Sequence, residues 1–210
     1  SCVGRPDVCC KRFNRSLLIV VSVLIILQIS IFKYYYPFAG FINGDSYAYI
    51  NSAFYNLRAD TYPIGYPKFL RLFSVFSYND TCLVVFQYLL IQFGLLSILF
   101  SIFYFYDFNK GLKVSTMFFC VLNPVLLYLA NYICSDSLFL GLSLLWFAIL
   151  IWTINRLSLK IIILHTILIV LLFTIRYNAL FYPFISLITL FLNRNRLGLK
   201  LLGLGVAFLL

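Results

Sequence analysis

Along most of the chain, apolar residues run on without a polar face, and polar residues gather in short connections between the runs. Such runs occupy about 16–32, 82–105, 112–133, 137–154, 159–175, 177–192 and the stretch from 197 onward. Each is near the ~20 residues that a helix needs to cross a hydrocarbon core, and tilt absorbs a small shortfall. The runs do not alternate, and in lipid the backbone must satisfy its own hydrogen bonds, so they are read as helices. This pattern predicts an all-α, polytopic transmembrane helical bundle with six complete spans and a seventh begun. The last residues, "LLGLGVAFLL", are still apolar, so the sequence reads as the N-terminal fragment of a longer protein.

One long stretch breaks the pattern. Residues 45–74, "DSYAYINSAFYNLRADTYPIGYPKFLRLFS", belong to a first connection that spans 33–81. Asp45 stands where a helix cap would, and Tyr47, Ile50, Phe54 and Leu57 recur at helical spacing beside a face of Ser46, Tyr49 and Asn56. The expected element is a short helix lying in the membrane interface. In "TYPIGYP", Pro63 and Pro67 fix φ while Gly65 permits a bend. A second short helix follows, with Lys68 and Arg71 three residues apart on one face, able to meet one anionic site or to snorkel to lipid phosphates.

Composition agrees with a membrane protein. Of 210 residues, 63% are hydrophobic and 10% charged, against roughly 25% charged in soluble domains. The net charge of +10 is topology information here and gives no nucleic-acid footprint. Counting residues 1–15 as cytoplasmic places eleven Lys and Arg inside, in every inner connection, and five outside: Lys33, Arg58, Lys68, Arg71 and Arg176. Asp45, Asp60, Asp80 and Asp136 then fall on the exoplasmic side, and the 33–81 connection becomes a large external loop.

The six cysteines have no repeated pair spacing and the one histidine, His165, sits inside "IIILHTILIVLL", so no residue is assigned to a metal. The next external turn carries only Asn131, Ser135, Asp136 and Ser137, with Ser135 or Asp136 as its cap. Arg176 lies near the outer end of a span with no acidic neighbour in sequence. An arginine at that depth needs a partner or a polar cavity, and the candidates are Asp136, Asp45 or an anionic ligand.

The ordered set Asp45 with Tyr49 and Ala53, Pro63-Ile64-Gly65-Tyr66-Pro67, Asn123-Pro124 with Tyr128, Ser135-Asp136-Ser137-Leu138-Phe139, and Arg176 with Ala179-Leu180 and Pro183 resembles a known group. It is similar to the multi-span glycosyltransferases of the GT-C fold that use polyprenyl-phosphate sugars, such as protein mannosyltransferases and the aminoarabinose transferases of lipid A. The resemblance covers roughly residues 16 to 190 and implies Asp45 as general base. It further implies that Arg176, Arg58, Lys68, Arg71, Asp136, Tyr49 and Tyr66 bind substrate. The implied partners are a polyprenyl-phosphate-linked sugar donor, a glycan, lipid or protein acceptor, and membrane lipids. Many members carry a second acidic residue directly after the loop Asp, and Ser46 stands there in this chain. A metal role at that neighbour is not supported, and the need for a divalent cation stays open. The expected location is a bacterial inner or plasma membrane, with the N-terminus cytoplasmic and the site exoplasmic. A transporter, or a non-catalytic subunit of a polysaccharide assembly system, would share the spans, but no repeated halves are visible.

Overall fold

A computed structural model describes residues 15–192. The N-terminal cations up to Lys11 and Arg12, the apolar run from 197, and Arg194, Arg196 and Lys200 lie outside the described residues. The elements are α1 (Arg15–Tyr35), α2 (Asp45–Phe54), α3 (Gly65–Ser74), α4 (Asp80–Phe105), α5 (Lys110–Val121), α6 (Pro124–Asn131), α7 (Ser135–Asn155), α8 (Leu159–Ile175), a 3-10 turn (Tyr177–Phe181) and α9 (Tyr182–Leu192). The chain is an all-helical, polytopic integral membrane protein.

Among the described residues four helical stretches are long and apolar enough to span: Ser16–Tyr35, Asp80–Phe105, Lys110–Asn131 and Ser135–Asn155. Leu159–Ile175 reaches 17 residues, or about 25 Å at 1.5 Å per residue. The expected span at 177–192 is instead a 3-10 turn followed by the 11-residue α9, because the chain leaves α8 in extended conformation at Arg176.

The third stretch is broken between α5 and α6. Pro124 has no amide hydrogen to continue a helix, and the Asn123 side chain takes the Val125 amide at 3.0 Å. The carbonyl of Val121 is therefore left without its usual helical donor. Gln92 of α4 supplies one, its Nε2 lying 3.1 Å from Val121 O and 2.9 Å from the Tyr88 hydroxyl. Tyr88 in turn donates to Gln28 of α1 at 2.8 Å. Broken helix at membrane depth survives only where protein groups replace the lost bonds, and this chain of side chains does so while tying α1, α4 and α5 together.

The main packing axis is α4 against α7. A Cβ built on Gly94 would stand 2.7 Å from Gly141 O, and one on Gly141 would stand 2.9 Å from the Leu90 side chain. Lipid tails are as apolar as leucine, so close backbone approach and the dispersion contacts it allows hold membrane helices together. Around this crossing, Val21, Ile91, Met117 and Val121 form one buried cluster, and Trp146, Leu168 and Leu172 form another on the α8 side. Trp146 donates to His165 Nε2 at 3.0 Å and stacks on Tyr182 at 4.3 Å. At one end of the bundle Arg156 lies over Tyr104 and Lys113 over Phe103. The opposite end carries α2, α3 and the α6–α7 junction.

Candidate functional site

The connection after α1 is stitched to the α6–α7 junction. Gly40 N donates to Asn131 O at 2.8 Å and Ile133 N donates to Gly40 O at 3.0 Å, making a single parallel bridge between Gly40 and Tyr132. Lys33 Nζ reaches Asn131 Oδ1 at 3.0 Å, and Asn131 Nδ2 reaches Phe38 O at 3.3 Å. These bonds set the start of α2 beside the start of α7.

The cap of α2 differs from the expectation. Gly44, at φ 90°, is the N-cap, and Asp45 is the first helical residue with no side-chain cap bond. The Asp45 carboxylate turns away from the helix amides because a better donor lies across the loop: the Tyr62 hydroxyl meets Oδ1 at 2.7 Å. The bond holds the Tyr62 phenol above the usual tyrosine range, with the carboxylate charge adding to it. Asp45 is part-buried, and among the described residues no cation pairs with it.

Helix α2 has the two faces expected of a helix lying in the interface. Its buried side is Ser46, Tyr49 and Ser52, whereas Tyr47, Ile50, Phe54 and Leu57 are exposed. Small and hydroxylated residues allow α2 to sit close on the bundle, and its apolar stripe is turned outward. Ser46 Oγ accepts from the Ile42 amide at 2.9 Å, so the residue that stands in place of a second carboxylate holds the preceding turn.

Tyr49 connects the two halves of the site. Its hydroxyl lies 3.1 Å from Ser135 Oγ, and its ring centroid is 5.2 Å from that of Tyr62 and 5.1 Å from that of Tyr66. Tyr66 is fully buried, with its hydroxyl bonded by Gln87 Nε2 at 2.8 Å. Burial pushes its phenol well above the usual value. Tyr66 thus supports Tyr49 from below. The turn ahead of it is glycine for a packing reason: a Cβ on Gly65 would meet Thr174 O at 2.5 Å, so the need is close approach of α3 to α8 and not a tight bend.

Next to Ser135, Asp136 forms an ion pair with Arg176, both side chains being more than a third exposed. Of the three partners considered for Arg176, this is the one observed. The Arg176 guanidinium also lies 6.0 Å from the Phe139 ring centroid. The cap of α7 is Cys134, not Ser135 or Asp136, since Ser135 is occupied by Tyr49. Burial raises the Cys134 thiol, while the charges of Arg176 and Asp45 act on it in opposite directions. Asp45, Tyr49, Tyr62, Tyr66, Ser135, Asp136 and Arg176 therefore form one polar assembly.

The remaining cations of the loop are elsewhere. Lys68 bonds Asn56 Oδ1 at 2.5 Å, and Arg71 Nη1 approaches the carbonyls of Ala53 and Phe54 at 3.3 and 3.4 Å. Both tie α3 to the C-terminal end of α2, where a cation also complements the helix dipole. Arg58 is exposed in the following turn. Among the described residues, no three His, Cys, Asp or Glu side chains come together in a metal-ligating group.

No protein-family model, curated protein or solved structure matches the chain.

Sequence reasoning passed over Tyr62, Gln87 and the Tyr49–Ser135 contact. Gln87 is an amide inside an apolar run, which alone marks it for a partner, whereas no local feature sets Tyr62 apart.

Proposed function

We propose that this chain is a membrane glycosyltransferase of the GT-C type, which moves a sugar from a polyprenyl-phosphate donor to an acceptor hydroxyl. The observation that carries the reading is the linkage of Asp45, a carboxylate without a counter-ion among the described residues, to the Asp136–Arg176 pair through Tyr62, Tyr49 and Ser135. Asp45 takes the proton of the acceptor hydroxyl, whose oxygen bonds to the anomeric carbon as the bond to the donor phosphate breaks. The departing lipid phosphate is a stable anion, so no strong general acid is needed, in contrast to glycoside hydrolysis. Arg176 offers Asp136 one nitrogen, Nη1, and its remaining N–H groups stabilise charge on the phosphate. Tyr62 holds the carboxylate in place, and Tyr49 and Tyr66 form the aromatic wall behind it.

The charge distribution supports an exoplasmic site. Among the described residues, Lys110, Lys113, Arg156 and Lys160 lie at the opposite end of the bundle with one acidic residue, Asp107, which fits a cytoplasmic face.

The test uses membranes containing the wild-type protein or Asp45→Asn, supplied with labelled polyprenyl-phosphate hexoses and pentoses. Consumption by the wild type, with loss of nearly all of it in the Asn form at equal protein level, is the expected result. Undiminished consumption by Asp45→Asn would move the base to another residue. No consumption of any such donor by the wild type would end the reading.

A further inference from the structure

Away from the Asp45 assembly, a cavity of about 560 Å³ opens between α2, α3 and the first turn of α4. Its inner wall is apolar, with Leu70, Phe73, Leu83 and Ile133, of which Leu83 and Ile133 are buried. Its rim carries Val75 and Tyr78, 77% and 89% exposed. Two opposite charges, Arg71 and Asp80, line the same cavity. Asp80 is the first residue of a 26-residue apolar helix, so this cavity sits at the level where α4 enters the membrane.

Both charges are exposed, and neither has an ion-pair partner among the described residues. Arg71 uses only Nη1, on the two long contacts to Ala53 O and Phe54 O. Its Nε and Nη2 have no hydrogen bond among the described residues, and that edge of a guanidinium is the one that grips a phosphate through two parallel bonds. Asp80 makes no ion pair among the described residues. Lys33, on which the Asp80 charge also acts, is held by Asn131 Oδ1 at 3.0 Å.

We propose that this cavity binds an amine-bearing zwitterionic phospholipid, its phosphate on Arg71, its primary ammonium on Asp80 and one acyl chain along the Leu83–Ile133 wall. Complementarity of charge selects this occupant. An anionic lipid would meet Arg71 but place its negative head beside a carboxylate that has no ion-pair partner among the described residues, whereas a phosphate and an ammonium together answer both groups. The site is separate from the Asp45–Tyr62–Arg176 assembly; the resemblance assigns Arg71 to substrate, and a test with phospholipids alone reads its lipid role apart from sugar transfer.

The experiment is native mass spectrometry of the full chain in detergent, titrated separately with dioleoyl-phosphatidylethanolamine and dioleoyl-phosphatidylglycerol. The wild type is expected to bind the ethanolamine lipid about ten-fold more tightly, the difference expected from one charge-assisted contact. Asp80→Asn, which keeps the Asn79 cap, is expected to level the two lipids, and Arg71→Ala to weaken both. Equal affinity of the wild type for the two lipids, a preference that survives Asp80→Asn, or retention of neither lipid would each overturn the proposal. The wild-type comparison decides even if a variant fails to fold.

Discussion

The Tyr62 hydroxyl and Asp45 Oδ1 are 2.7 Å apart although 17 residues separate them in the chain. A phenol that donates to a carboxylate gives up its proton less readily, because ionisation would set two negative charges against each other.

That relationship predicts a late titration for Tyr62. Its folded-state value lies above the unfolded value of about 10, so its contribution to stability is complete below pH ~10 and is lost as pH rises through the folded value. With ring-labelled tyrosine, the NMR resonance that disappears in Tyr62→Phe should move at higher pH than free tyrosine. In Asp45→Asn it should move back toward the free value. Coincident titration in both proteins would show that the bond does not form in solution.

The contact of α4 with α7 predicts strong sensitivity to added volume. A side chain at Gly94 would press on the carbonyl of Gly141, which is backbone and cannot step aside. Gly94→Leu should destabilise the bundle by about 1–3 kcal/mol or prevent its assembly. Gly111, where a Cβ would meet nothing within 4 Å, serves as the control. Thermal unfolding in detergent should find Gly111→Ala unchanged or more stable by up to ~1 kcal/mol.

Gln92 supports the interrupted third span, and Gln92→Leu removes the donor to Val121 O and Tyr88 at once. A buried carbonyl left without a partner costs about 1–3 kcal/mol, so the same unfolding measurement should fall by that amount. Gln28→Leu, at a half-exposed position, should cost less. Equal losses would mean that the backbone break is satisfied in some other way.

The Asp136–Arg176 pair is more than a third exposed on both sides, so solvent screens it and its coupling should be about 1 kcal/mol or less. A double-mutant cycle with Asp136→Asn and Arg176→Gln measures that coupling directly. A much larger value would mean that the pair is shielded by lipid to a degree its exposure does not suggest.

The helical class and the apolar runs were legible because period and length need only neighbouring residues. What was not legible depended on contacts across the fold. Asn123-Pro124 stood in plain view, yet whether it kinks or divides a span depends on Gln92, some thirty residues earlier. The stripe of α2 and its interfacial placement follow from helical spacing, whereas the packing of Ser46, Tyr49 and Ser52 against the bundle does not. Arg176 announced a need for a partner and left three open, and only the position of α7 beside α8 selects Asp136. Nothing in the local pattern distinguished Tyr62 from the other loop tyrosines.

The Gly40–Tyr132 bridge, together with Tyr49 on Ser135, gives the loop and the start of α7 a common frame. The start of α2 is consequently held against the start of α7 by main-chain bonds, much as the jaws of a spanner are held by its shank. Moving α2 away from α7 would therefore mean breaking that seam, not only turning side chains.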